Sequence, residues 1–503
     1  MMGARSNSRD HVPRFRIPGA QAPAWVILET GTTAVLSLFS LLLIGRVIGP
    51  HAAGVGTVAL SAFLLIDLAA SSLFPDSLVQ RPRLEQDHVD GALTAHLLAG
   101  FGGGLLLVGL APLLSLGAGS GEEVRDIALA LAPLLPFSAV SGACSGLLLR
   151  QRRNRLLAMR AIIGHPIGLT AGLAAAQLGA GAWAMFVQQA VATAITFSLL
   201  AWRLRIAYRP RIRLAALADL WPVAGPQVLS ILALAGRYRI FVVALGMLVA
   251  EALVAVSHIA FRLVDSVLAV AWGSMARLSI QRLSALQHDR AALAEAYGDL
   301  AQLQALMGMP IAAGVALTAG DLVQGLLGPA WQGAADAARI AGLAAVVGFA
   351  YGDTGGLFVA LGRTRINLAV ALAQLGAPLT LLLVLRPETA SGVALCWAAT
   401  TVAIAPPLAG LALRHLGRSP PWLARRIAPG VLATAAMVAA VLALETRLSA
   451  PPLLRMAAAA AIGATVFTLV AWLALGRRLP RALLAAGPPP HGSPSPAPVL
   501  APG

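Results

Sequence analysis

Long apolar runs, each closed by a short polar stretch, alternate along almost the whole chain. A helix that crosses the hydrocarbon core of a bilayer needs about 20 predominantly apolar residues. On that ruler, spans fall near 25–45, 53–76, 91–116, 125–149, 157–178 and 181–202. After a basic loop the pattern resumes near 223–246, 249–276, 300–320, 336–361, 366–385, 390–413, 428–444 and 453–475. The pattern predicts an all-α polytopic membrane protein of about 14 transmembrane helices.

Six spans, a basic loop and six further spans read as two six-helix lobes, 25–222 and 223–424, followed by an extra helix pair at 425–476. Residues 1–24 form a polar segment before the first span, and the Pro-rich 477–503 reads as a disordered tail. Trp221-Pro222-Val223-Ala224-Gly225-Pro226 reads as a turn, and 281–299 as a surface helix ahead of the next span. Asp67 follows a glycine-bearing turn (Gly49, Gly54), and Asp265 sits at a similar depth behind Gly246, which suggests that the halves are related.

Composition agrees with the pattern. Of 503 residues, 58% are hydrophobic and 12% charged, a balance outside that of soluble domains. The formal charge of +16 is carried by arginine alone, because the chain has no lysine. Those arginines cluster in short loops between spans rather than in a nucleic-acid-binding stripe, so no nucleic-acid partner is expected. They alternate with arginine-poor loops bearing Glu122, Glu123, Glu251, Asp321, Glu388 and Glu445. Basic loops stay cytoplasmic, which places both termini in the cytoplasm. The start carries Arg5, Arg9, Arg14 and Arg16 without a short apolar core and cleavage site, so no cleaved signal is expected.

Charges inside the spans carry the chemistry. A charge at a bilayer centre costs roughly 2.5–3.5 kcal/mol on insertion scales, so such groups face protein or a water-filled cavity. His258, Arg262 and Asp265 fall at i, i+4 and i+7 and share one helix face. That face either locks the helix to a neighbour through an Arg262–Asp265 pair or lines a lumen. Arg237 and Arg239 lie about 200° apart around their helix, so at most one is expected to face the same lumen. Glu29 begins a polar stripe with Thr33, Ser37 and Ser40. Asp67 is deeper, and Asp353 lies in a glycine-weakened segment, Tyr351 to Gly356. Asp67, Asp265, Glu29 and Asp353 are candidates for coupling or gating; Arg237, Arg239, Arg262 and His258 for substrate contact.

Other features carry less. Gly102-Gly103-Gly104 lies inside an apolar run and is no phosphate loop, which would need a strand before it. His88 and His96 lack further ligands at metal spacing, and the two cysteines, Cys144 and Cys396, both lie in apolar runs. No metal or cofactor is expected. No nucleophile–base arrangement is visible, so the chain does not read as an enzyme. The arginine clusters are expected to meet lipid headgroups.

A series of short elements then points to a family. Gly45-Arg46-Val47-Ile48-Gly49-Pro50 with Gly54 resembles the turn after the first span of polysaccharide and O-antigen flippases. These flippases belong to the multidrug/oligosaccharidyl-lipid/polysaccharide exporter superfamily. Asp76 to Arg81 with His88 resembles the element ending their second span, and Gly179 to Ala184 with Gln188 the one opening their sixth. Arg209-Pro210 and Ala360-Leu361-Gly362-Arg363-Thr364 also match. The series covers about 25–475, in order. One departure stands out: the family often has an Asp in the middle of the seventh span, where this chain has Arg237-Tyr238-Arg239-Ile240.

The resemblance implies a two-lobed transporter in the bacterial inner membrane. It implies movement of an undecaprenyl-diphosphate-linked oligosaccharide to the periplasmic leaflet by alternating access, for exopolysaccharide, capsule or O-antigen. A polysaccharide polymerase and a chain-length regulator are the implied partners, beside membrane lipids. A multidrug exporter of the same superfamily would show a more acidic, aromatic lumen. A membrane glycosyltransferase or polymerase of the same pathway would carry a sizeable periplasmic loop.

Overall fold

Gly49 and Pro50 make the first reversal of the chain. The helix α1 (Gln21–Ser71) is two arms joined where Gly49 adopts φ 81°, a conformation costly for any residue with a β-carbon. Pro50 then opens the second arm, where its missing N–H is no loss. In this computed structural model, residues 21–480 are described, apart from 82, 117–120, 205–208, 211–212 and 479. The first 20 residues and the tail from 481 lie outside the described residues.

The chain continues through α2 (Pro75–Gln80), α3 (Gln86–Leu114), α4 (Gly121–Leu131), α5 (Leu135–Arg150), α6 (Asn154–Gln177) and α7 (Trp183–Leu204). Then come α8 (Leu214–Ile231), α9 (Arg237–Leu248), α10 (Glu251–Ala285), α11 (Arg290–Leu326), α12 (Gly333–Phe349) and α13 (Thr354–Ala360). It ends with α14 (Thr364–Leu385), α15 (Ala390–Leu416), α16 (Pro420–Glu445) and α17 (Pro452–Ala474). No strand occurs among the described residues. Among the described residues, twelve helices are long and apolar enough to span a membrane, and a bent pair, α12 with α13, makes a thirteenth. Dividing α1 at Gly49 brings the number to the fourteen that the hydropathy pattern predicts.

Two local expectations are corrected. The expected turn at Trp221–Pro226 is helical, inside α8, with Pro222 and Pro226 both within the helix. A buried helix tolerates proline when other groups and local widening re-satisfy the freed backbone. Here a π-helical turn, Leu232–Gly236, follows at once and joins α8 to α9. The expected surface helix at 281–299 is instead the end of α10 and the start of α11. Leu283, Leu293, Tyr297 and Leu300 are buried there in an apolar cluster with Phe358, Leu413 and Leu423. That burial packs the hairpin against α13, α15 and α16.

The helix ends define an arginine-rich and an arginine-poor face. At the arginine-poor face a second Gly-Pro turn, Gly328-Pro329, again uses a positive φ of 90°. The two turns meet. Arg46 Nη1 donates to the Leu326 carbonyl at 3.1 Å, and Gly45 lies against the fully buried Trp331. Beside them, Gly54 of α1 touches the main chain of Glu251 where α10 begins; a β-carbon at 54 would lie 1.8 Å from the Glu251 oxygen. Small residues let membrane helices approach to backbone contact, where packing replaces the hydrophobic drive that lipid cannot supply.

At the arginine-rich face, side-chain pairs join helix ends. Asp299 receives Arg426 at 2.8 Å and Arg282 at 3.4 Å, while Glu295 pairs with Arg418 at 2.8 Å and with Arg426. Trp422 lies under both Arg418 and Arg426, at 5.2 and 5.4 Å from its ring centre. Arg150 donates to the Leu78 carbonyl at 2.9 Å, and Arg81 pairs with Asp219 at 2.7 Å. These arginines fasten helix ends to one another. The residues turned outward along the spans are apolar, Leu105 (74% exposed) and Val384 (73%) among them, as contact with lipid chains requires.

Candidate functional site

A cavity of about 970 Å³ lies between the helices, walled by both arms of α1 and by α6, α7, α9, α10, α12, α14 and α15. Its lining on α1's second arm starts at Thr57, one turn beyond the Gly54–Glu251 contact, and reaches Leu68. On α10 it runs from His258 to Trp272. The cavity therefore sits on the arginine-rich side of the contact that closes the other face.

Among the described residues, three that line it are arginines, Arg237, Arg239 and Arg262, against a single carboxylate, Asp265. Both Arg237 and Arg239 line it, where the sequence allowed only one. The helix α9 stands between the two sides of the cavity, and each long side chain reaches a different wall. Arg237 donates to Gln374 of α14 and lies 5.7 Å from the ring centre of Trp397 on α15. Arg239 points the other way, within electrostatic reach of Asp67 on α1 and of Arg262.

The α10 face is assembled as the i, i+4, i+7 spacing requires, since His258, Arg262 and Asp265 all line the cavity. Arg262 and Asp265 form no contact ion pair. Arg262 Nη2 instead donates to Ser37 Oγ of α1 at 3.2 Å, and Asp265 feels the charges of Arg262 and Arg237 without touching either. His258 shares a 3.0 Å hydrogen bond between its Nδ1 and the Tyr238 hydroxyl, with the two rings stacked at 5.6 Å.

The remaining candidates separate. Asp67 stands behind the wall, beside Ser138 and Arg239, and its Oδ1 is buried without a hydrogen-bond partner. Glu29 is held by Arg160 at 3.1 Å, and Arg160 also donates to Ser145 at 2.7 Å; neither Glu29 nor Arg160 lines the cavity. Asp353 caps α13, accepting from the Gly356 amide at 2.9 Å, at a bend of 41° between α12 and α13. It too lies off the cavity, near Tyr297 and Ser279. The two histidines set aside as metal ligands have structural partners: Glu85 N–H donates to His88 Nδ1, and Phe74 N–H to His96 Nε2, both at 3.2 Å.

Sequence reasoning missed Tyr238, Gln374, Trp272 and Trp397. Gln374 alone carried a readable signal, as a polar amide in the middle of an apolar span. Of the polar stripe beginning at Glu29, Thr33, Ser37 and Ser40 reach the cavity, and Gln188 Nε2 donates to Ser40 at 2.8 Å.

A closed bundle of spanning helices around a central charged cavity defines a multi-pass membrane transporter. The family model described as polysaccharide biosynthesis protein matches residues 43–336, more than half of the chain. The chain belongs to that family. Its fold is that of two solved transporters. One is described as "Lipid II flippase MurJ, inward closed conformation", with a TM-score of 0.71 at 12% identity over 90% of this chain and 98% of that one. The other, an inward-facing multidrug resistance MATE family transporter of the MOP superfamily, scores 0.61 at 15% identity, over 78% and 98% respectively. No curated protein matches the sequence.

Proposed function

We propose that the protein is a flippase for undecaprenyl-diphosphate-linked oligosaccharide repeat units, working in the bacterial inner membrane for surface polysaccharide. The observation that carries this reading is the cavity charge: three arginines face one carboxylate. A planar guanidinium binds phosphate oxygens through paired hydrogen bonds, so Arg237, Arg239 and Arg262 suit a diphosphate. An exporter of cationic drugs would need the opposite balance.

Membership of a polysaccharide biosynthesis family supports a role in surface-polysaccharide assembly, and the fold shared with a lipid II flippase supports a lipid-linked cargo. The lobes 25–222 and 223–424 rock about the cavity. Asp67 and Asp265 lie where neutralising either one changes the balance on the arginines, which suits a coupling or gating role.

The test is deletion in the native bacterium with mass analysis of its lipid-linked sugars. Complete repeat units accumulating on undecaprenyl diphosphate, with surface polysaccharide lost, is the expected result. Truncated units would assign a glycosyltransferase role instead. Unaltered polysaccharide would overturn the reading.

A further inference from the structure

Trp272 is the one large aromatic side chain on α10 that stands at the arginine-rich end of the cavity. It is 42% exposed and lines the cavity wall, while its ring stacks on the fully buried Phe349 of α12, with centroids 4.0 Å apart and planes 18° apart. Trp202, Trp221 and Trp472 are exposed too, but none of them lines the cavity, so lipid-interface anchoring accounts for them and not for Trp272.

Depth places this ring relative to the charges. At 1.5 Å per residue, Trp272 lies about 15 Å along α10 from Arg262 and about 31 Å from Glu251. Trp272 thus stands about three helical turns from Arg262, toward the arginine-rich end of α10. Around it are Gly348 of α12, whose β-position would lie 3.6 Å from the indole, and Thr401 of α15, whose methyl is 3.8 Å from that same position. Thr401 and Gly348 both line the cavity. A flat, electron-rich ring exposed in the cavity wall matches one chemistry well. The C–H face of a pyranose is apolar and weakly positive, and it stacks on the negative face of an indole while its edge hydroxyls find hydrogen-bond partners.

We infer that Trp272, braced by Phe349, is a stacking platform for a sugar ring of the cargo, separate from the arginine station that takes its diphosphate. This inference rests on the flippase reading. It adds that the protein tells glycosylated from bare carrier lipid inside the cavity, and that Trp272 is the residue that does so. Phe349 acts through Trp272 as a positioning residue, because its own ring is sealed from the cavity.

Binding of two probes to the purified full chain in detergent tests it: undecaprenyl diphosphate without sugars, and undecaprenyl-diphosphate-linked repeat units extracted from the host. Wild type is expected to hold the glycosylated probe more tightly. Trp272→Ala and Trp272→Leu should weaken that probe roughly tenfold and leave the bare one unchanged, while Trp272→Phe keeps most of the preference. The leucine variant retains bulk, so a packing defect common to both probes is separated from loss of the aromatic face. Arg239→Ala and Arg262→Ala should weaken both probes. Equal losses for both probes in the Trp272 variants, no loss in either, or a wild type without preference would overturn the platform. Arginine variants that bind both probes normally would overturn the diphosphate station while leaving the platform standing.

Discussion

Gly54 meets the main-chain carbonyl of Glu251 so closely that a β-carbon at residue 54 would lie 1.8 Å from the oxygen. Only glycine permits that approach, and the contact closes the arginine-poor end of the cavity. Gly54→Ala must push α1 and α10 apart there, at a cost of about 1–3 kcal/mol in this state. The expected outcome is a shift toward the state open at that face. A cysteine at Ser61, which lines the cavity, should then be labelled faster by a membrane-impermeant maleimide from the arginine-poor side. Equal labelling rates would show that this contact is not the gate.

Asp299 accepts from Arg426 at 2.8 Å and Arg282 at 3.4 Å, and is itself only 11% exposed at its side chain. Removing its charge takes away the carboxylate that pairs with Arg282 and leaves Arg426 only Glu295, a loss of roughly 2 kcal/mol for such a partly screened network. Asp299→Asn should lower the unfolding temperature of the purified protein, with transport per folded molecule preserved. Normal unfolding together with lost transport would instead make the network part of the transport cycle.

Glu29 and Arg160 form a pair away from the cavity, at 3.1 Å, each about a quarter exposed. Glu29 was a natural coupling candidate in the sequence because it heads a polar stripe. Its position makes it a strut between α1 and α6. Glu29→Gln should therefore leave transport intact and cost at most about 1 kcal/mol of stability, since partly exposed pairs contribute little. Transport abolished at normal protein levels would restore the coupling role.

How far the sequence can be read depends on whether the deciding neighbour is local. The spans were legible because bilayer thickness imposes a length on each of them separately, and the i, i+4, i+7 face of α10 because helix geometry is local. The helical path through Trp221–Pro226 was not, because prolines signal a turn unless a π-helical segment further on absorbs the strain. Nor could the sequence show that Arg237 and Arg239 share one cavity; that depends on where α14, α15 and α1 stand around α9. Glu29 is separated from Arg160 by 131 positions, and Trp272 from Phe349 by a whole span and hairpin. Such partners emerge only once the helices are assembled.

Asp67 and Arg239 offer the sharpest test of the charge balance in the cavity wall. Asp67 Oδ1 is buried without a hydrogen-bond partner, so the carboxylate depends on Ser138 and on the charge of Arg239. Removing one of two coupled buried charges leaves the other uncompensated, which costs more than removing both. Arg239→Gln alone should destabilise the protein more than the Asp67→Asn, Arg239→Gln double variant, with a coupling of about 0.5–3 kcal/mol in a thermal-unfolding cycle. Transport separates the roles further. If Arg239 serves only to neutralise Asp67, the double variant recovers transport. If it also holds the diphosphate, stability returns while transport does not, and the second pattern is the one expected from its place on the cavity lining. Additive losses in the cycle would show that the two residues act independently.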